Sequence, residues 1–132
     1  MPAVQIVAAL FIDEIEMRQV PGPATRIDLR GIQFSAPAPT PFPVTITPHL
    51  VVLIRCAPGD VGSGVLEVVF DRDGEEVARN VAPVTVEPGR FTRQLVQAEL
   101  TFDEPGTIEA RCRIDQGDPI VVPYTLLEPV SE

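Results

Sequence analysis

Proline and glycine interrupt this chain about every ten residues, and short apolar runs rich in β-branched residues fill the intervals. The clearest runs lie at 49–56, 64–71 and 107–114. Proline lacks a backbone donor and breaks helix interiors, so fifteen prolines argue against a helical protein. Short strands separated by turn signals at this spacing are typical of a sandwich or barrel. We therefore predict an all-β fold: an immunoglobulin-like antiparallel β-sandwich of eight or nine strands.

The chain length of 132 residues fits one β-sandwich domain, residues 1–132. Area scaling for this mass implies that about two thirds of the unfolded surface is buried on folding. A core of that size does not need disulfides to hold it together.

The first twelve residues fit two patterns. Their apolar residues alternate as in a strand at positions 4, 6, 8, 10 and 12, and they also form a helical stripe at positions 4, 7, 8, 11 and 12. Periodicity alone does not separate the two. We favour a strand, because the run is short and rich in β-formers, and we expect at most one short helical turn after it, over residues 13–19.

Turn residues organise the rest of the chain. Four prolines between positions 37 and 43 predict an extended crossover over 35–43, near polyproline II, in which the Phe42–Pro43 bond is able to adopt the cis form. Asp73-Gly74 predicts a two-residue hairpin turn, since both residue types tolerate positive φ. Residues 116–118 predict the turn of a last hairpin.

Strand alternation predicts which side chains form the core. The inward residues are Val52, Ile54, Cys56, Leu66, Val68, Phe70, Ile108, Ala110, Cys112 and Ile114. Both cysteines therefore face inward on separate strands. A bridge between them would stabilise the fold, but in a reducing compartment we expect two buried thiols.

The net charge is −9, and all ten cations are arginines. Nucleic-acid binding requires cations clustered on one face, and anionic membrane surfaces also attract cations, so we expect neither partner. The longest apolar run is far shorter than the roughly 20 residues that span a bilayer. Acidic residues follow it where a signal peptide would have a cleavage site, so we expect a cytoplasmic protein.

Asp71, Asp73 and Glu75 are the only candidate metal ligands, in a segment that superficially resembles a calcium loop. An EF-hand loop needs glycine at its sixth position and glutamate at its twelfth. Here glycine is the fourth residue and the twelfth is Ala82. We interpret the segment as an acidic hairpin turn and expect no metal ion and no other cofactor.

No set of residues forms a recognisable catalytic motif. Glu99, Asp103 and Glu104 offer paired carboxylates, but sugar hydrolysis also needs a cleft, and the chain has one tyrosine and no tryptophan. His49 is the only histidine, and no serine lies in a nucleophile-elbow pattern. We therefore predict that the protein is not an enzyme and assign no catalytic residue.

Several turn motifs, in order, span nearly the whole chain. They are residues 9–13 (ALFID), 27–34 (IDLRGIQF), 53–56 (LIRC), 69–74 (VFDRDG) and 102–106 (FDEPG). In these motifs the chain resembles a family of small uncharacterised bacterial β-sandwich proteins, a domain of unknown function. The resemblance implies an immunoglobulin-like sandwich and carries no activity or ligand with it.

These observations favour a non-enzymatic protein-interaction or scaffold module. Its partner would be another protein or a second copy, bound through a strand edge or an apolar face. The C-terminal run at 120–127 is apolar on both sides, so we expect it to be covered. The alternative is a β-sandwich that binds a small ligand or a carbohydrate, which requires a concave face with exposed aromatic residues.

Overall fold

The computed structural model describes residues 4–22 and 24–130, and in those ranges the chain forms twelve β-strands and no helix. The strands are β1 (Val4–Ile12), β2 (Glu14–Arg18), β3 (Arg26–Arg30), β4 (Ser35–Pro37), β5 (Val44–Ile46), β6 (His49–Cys56), β7 (Ser63–Arg72), β8 (Glu75–Thr85), β9 (Phe91–Gln97), β10 (Leu100–Phe102), β11 (Gly106–Ile114) and β12 (Ile120–Leu127). The all-β prediction is confirmed. No helix in these ranges has the length and hydropathy to cross a membrane.

Two larger sheets enclose the core. One has five strands in the order β4-β12-β11-β7-β8, and the other has three in the order β1-β6-β9. Two-stranded pairs, β5-β10 and β2-β3, complete the fold. All pairings are antiparallel except that of β4 with β12.

The buried faces of both sheets contribute to one apolar cluster. All ten side chains that alternation predicts to face inward belong to it, and each is at most 5% exposed. The C-terminal run is covered on one side only, because Tyr124 and Leu126 are buried while Val121 and Leu127 are exposed.

The predicted number of eight or nine strands is wrong, because longer strands are interrupted. Asp13 separates β1 from β2, and Thr47-Pro48 separates β5 from β6. The β5-β10 pair continues the β6-β9 ladder in the same register on the far side of that interruption. Alternation is not recognisable within three residues, so the sequence pattern does not reveal strands as short as β4, β5 and β10.

The one helical turn allowed over 13–19 does not form, and a strand takes its place. Residues 14–18 alternate charged and apolar side chains, and this period of two is satisfied by pairing with β3. The predicted crossover at 35–43 begins as a strand, since Ser35–Pro37 forms β4 on the edge of the larger sheet.

The turn predictions hold. Asp73 and Gly74 have φ values of 52° and 82°, and they join β7 to β8. The last hairpin pairs β11 with β12 around residues 115–119. The Phe42–Pro43 bond is cis.

Candidate functional site

The β2-β3 hairpin forms a third layer on the outer face of the three-stranded sheet. Ile15, Met17, Ile27 and Leu29 share one face of the hairpin because Ile15 pairs with Leu29 and Met17 with Ile27. Ile15 lines a hollow together with Leu95 of β9, and Ile27 lines another together with Leu53 of β6, which places this apolar face against the sheet.

Charged residues occupy the other face of the hairpin. Arg18 Nε donates to Asp28 Oδ2 over 2.5 Å, and Arg30 lies 3.7 Å from Glu14. The hydrogen bond from Arg18 holds the pKa of Asp28 below its usual value. The hairpin is therefore amphipathic: its solvent-facing side carries the ion pairs, and its apolar side faces the three-stranded sheet.

Val51 shows that the hairpin covers the sheet. It lies on the outer face of β6, between the inward-facing Leu50 and Val52, yet it is completely buried. It does not belong to the main core cluster, and neither does the buried Ile12. A second, smaller apolar cluster therefore lies between the hairpin and the sheet.

The cover is incomplete beside β9, one of the two edge strands of this sheet. A hollow of about 280 Å³ remains there, lined by Val7, Thr25, Ile27, Leu53, Phe91 and Thr92. Phe91 is 51% exposed and Val7 52%. Leu95, four residues further along β9, is also exposed and borders a second hollow of about 460 Å³.

Two arginines on the same outer face have no partner among the residues that the structure describes. Arg55 of β6 lies opposite Phe91, and Arg93 of β9 lies opposite Leu53, so the two residues are diagonal neighbours on one face. The other eight arginines each have an ion pair, a hydrogen bond or a ring contact. Within residues 4–22 and 24–130, neither Arg55 nor Arg93 makes such a contact. They form an uncompensated positive spot on a protein of net charge −9.

The edge of β9 lacks the two features that protect the edges of the five-stranded sheet. Proline and short length both discourage edge pairing. The edges of the five-stranded sheet are β4, which has three residues and includes Pro37, and β8, which includes Pro83. The seven residues of β9 contain no proline, and Phe91 and Leu95 are exposed beside the edge. We define Phe91, Arg93, Leu95 and Arg55 as the β9 surface.

The end of the three-stranded sheet near His49 is polar, and its groups bind one another. Gln33 donates through its amide nitrogen to the carboxylate of Asp13, and Tyr124 donates to Gln33 Oε1 over 3.4 Å. Burial, together with the charge of Asp13, raises the pKa of Tyr124. His49 Nε2 lies 3.1 Å from the amide nitrogen of Gln97. The first two contacts link the bend after β1 to the segment after β3 and to β12, and the last links β6 to β9.

The candidate metal ligands do not converge. Asp71 lies 2.5 Å from Arg111 and is engaged by it, while Asp73 occupies the turn and Glu75 begins β8. Across the described part of the chain, no three His, Cys, Asp or Glu residues are placed to hold a metal ion. The paired carboxylates considered for sugar hydrolysis, Glu99, Asp103 and Glu104, are all exposed on the loops flanking β10.

Both cysteines are completely buried free thiols, Cys56 on β6 and Cys112 on β11. Burial raises the pKa of the Cys112 thiol to about 12. A thiolate is the reactive form of cysteine, so Cys112 is inert at neutral pH.

Sequence reasoning missed the β9 surface. A usable signal was present, because residues 91–97 form a strand pattern without proline in which Phe91, Arg93 and Leu95 alternate on one face. From the sequence alone, we would expect this face to be buried. The structure shows that the β2-β3 hairpin does not cover it.

No protein-family model matches the chain, and no curated protein does. Among solved structures it is similar to a β-glucosidase from Listeria innocua in complex with gluconolactone, with a TM-score of 0.56 and 13% identity over 93% of this chain. It is also similar to a β-glucosidase from Erythrobacter marinus, with a TM-score of 0.57 and 17% identity over 94% of this chain.

This chain spans only 17% of the Listeria innocua enzyme and 15% of the Erythrobacter marinus enzyme. More than four fifths of each enzyme therefore has no counterpart here. Identities this low indicate a shared fold, and a shared fold does not bring an activity with it.

Proposed function

We propose that this protein is a non-enzymatic interaction module, built as an immunoglobulin-like sandwich, that binds a protein partner through the β9 surface. The observation that carries the proposal is the coincidence, at one unprotected sheet edge, of exposed apolar side chains with two unpaired arginines. Interaction surfaces are enriched in aromatic residues and arginine, which supply most of the binding energy.

The charge distribution supports this choice of surface. Seven of the other eight arginines pair with carboxylates; Glu67, for example, binds Arg79 and Arg113 on the outer face of β7. Arg72 instead donates to the Thr101 carbonyl and lies over the Phe102 ring. Arg55 and Arg93 stay uncompensated beside Phe91, a combination suited to a partner that is both apolar and acidic. The protein's overall negative charge would repel an acidic segment from the rest of its surface. The two arginines would attract such a segment at the β9 surface, which makes the contact selective.

Binding of a carbohydrate or a small ligand has less support. Sugar sites use exposed aromatic faces, and Tyr124, the only tyrosine, is 4% exposed. Three of the six phenylalanines (Phe11, Phe70 and Phe102) are buried, and the exposed Phe34 and Phe91 lie on different segments of the chain. The likeness to regions of β-glucosidases supports the sandwich and supplies no sugar-binding residue.

Site-specific photocrosslinking tests the proposal. A benzoylphenylalanine at position 91 replaces a phenylalanine that is 51% exposed, and the matched control places it at position 77, where Val77 is 44% exposed on β8. We expect a discrete adduct with one partner protein in host cells from position 91 and none from position 77. The Arg93→Glu change should abolish that adduct. The same adducts from both positions, or none from position 91, would contradict the proposal.

A further inference from the structure

We infer that the partner adds an extended segment to the edge of β9, with an acidic side chain beside Arg93 and apolar side chains two residues away on either side. This inference rests on the proposed interaction function and specifies how the β9 surface is used. The occupant is thus a strand of the pattern apolar-x-acidic-x-apolar.

The backbone of β9 is arranged for this addition. The Cys56 N–H donates to the Arg90 carbonyl over 3.0 Å, in register with the β6-β9 ladder. Hydrogen-bonded pairs alternate along an antiparallel ladder, so the even-numbered residues 92, 94 and 96 bond to β6. The N–H and C=O groups of Phe91, Arg93 and Leu95 therefore point away from β6, toward the open edge. Such a row is a template for another strand.

The side chains of the same three residues face the hairpin side of the sheet, where there is room for a partner. The hollow of about 280 Å³ lies beside Phe91, and the hollow of about 460 Å³ lies beside Leu95. A strand added to the edge would place every second side chain on this face. Apolar side chains opposite Phe91 and Leu95 would cover the exposed surface of both residues, beside the two hollows.

The charge of Arg93 determines which residue of the partner is favoured between those two apolar positions. Opposite charges directly across a strand pair are stabilising and like charges are destabilising. A second copy of β9, paired antiparallel so that Phe91 meets Leu95, would bring Arg93 against its symmetry mate. The charge therefore favours a different, acidic segment over self-association at this edge.

Selection from a random nonapeptide display library tests the charge rule, with the full chain as bait. We expect the wild-type protein to enrich Asp or Glu flanked at two-residue spacing by Val, Ile, Leu or Phe. The Arg93→Glu variant should enrich Lys or Arg at the central position instead. Identical motifs from the two baits would overturn the charge pairing, and the absence of any enriched motif would overturn strand addition.

A pair of substitutions separates the backbone from the charge. Arg93→Ala removes only the side chain and should weaken the selected peptide about two- to fivefold, the effect of one cross-strand charge pair. Arg93→Pro also removes the N–H that faces the edge and should weaken it at least about tenfold. Equal losses in two folded variants would reject edge pairing.

Mapping of peptide-induced amide shifts on the wild-type protein needs no variant. Shifts centred on Phe91, Arg93 and Leu95 support strand addition, and shifts centred on β8 overturn it. A crosslinked partner at position 91 without any enriched peptide would keep the interaction function and reject this binding mode. A peptide that binds β9 when no partner protein crosslinks would support strand addition and reject the proposed interaction function.

Discussion

Val51 and Leu95 lie directly opposite each other across β6 and β9 on the outer face of the sheet, yet Val51 is completely buried and Leu95 is 44% exposed. The boundary of the covering hairpin runs between them. One cross-strand pair thus marks where the molecule's own third layer ends and its open surface begins.

Truncation on either side of this boundary should have unequal effects on stability. Val51→Ala removes two buried methyl-sized groups and should lower the free energy of unfolding by about 2 kcal/mol. Leu95→Ala should cost less than about 1 kcal/mol, because much of that side chain is already in water. Urea unfolding of both variants measures the difference. A Val51→Ala protein as stable as the wild type would show that the hairpin does not pack there.

Gly31 fixes the approach of the hairpin to the sheet. Its φ is +66°, and a Cβ at this position would run into the carboxylate of Asp13. Gly31→Ala should therefore destabilise the protein by more than the roughly 1–2 kcal/mol that positive φ alone costs a residue with a Cβ. Gly22→Ala is the matched control, with φ +70° and open space around it. Equal melting temperatures for the two variants would argue against a clash at Asp13.

Alkali should weaken the fold through Cys112. Its folded pKa, about 12, lies above the ordinary value of 9.0 because burial disfavours the thiolate. The unfolded chain loses that proton first, so the stabilisation is complete below pH 9 and is lost as the pH rises toward 12. The contribution is about 1.4 kcal/mol per pH unit in that window.

The Cys112→Ala variant isolates this contribution. Its unfolding free energy should fall less steeply above about pH 9 than that of the wild type, whatever its baseline stability. Parallel curves from the two proteins would mean that the Cys112 thiol ionises in the folded state as readily as in the unfolded chain.

Calcium should leave the protein unchanged. Asp71 is engaged by Arg111, and Asp73 and Glu75 belong to a tight hairpin turn, so the carboxylates do not converge on one point. A ligand that binds only the native state raises the melting temperature. We expect no shift in melting temperature with millimolar calcium. A rise that Asp73→Asn removes would establish a site at this turn.

The sequence predicted the parts of the fold that depend on local patterns. Alternation identified the core row at Val52 and Ile54, and turn chemistry located the Asp73-Gly74 hairpin, because each signal is complete within a few residues. The β2-β3 hairpin was not predicted, because its pairing joins residues 8 to 16 positions apart across a loop. Periodicity also could not show that Val51, on the outer face, would be buried by that hairpin.

The β9 surface was harder to find, for a related reason. Phe91 is exposed and Arg93 is unpaired because no other part of the described chain covers them. A local sequence pattern carries no information about such distant residues. The resemblance to a family of bacterial β-sandwich proteins stays a prediction.

Amide hydrogen exchange along β9 in the free protein tests the central claim most directly. The account predicts an alternating pattern, with fast exchange at Phe91, Arg93 and Leu95 and slow exchange at Thr92, Gln94 and Val96. Uniform protection along residues 91–96 of the monomer would mean that the edge is already closed, and it would contradict β9 as the place where a partner binds.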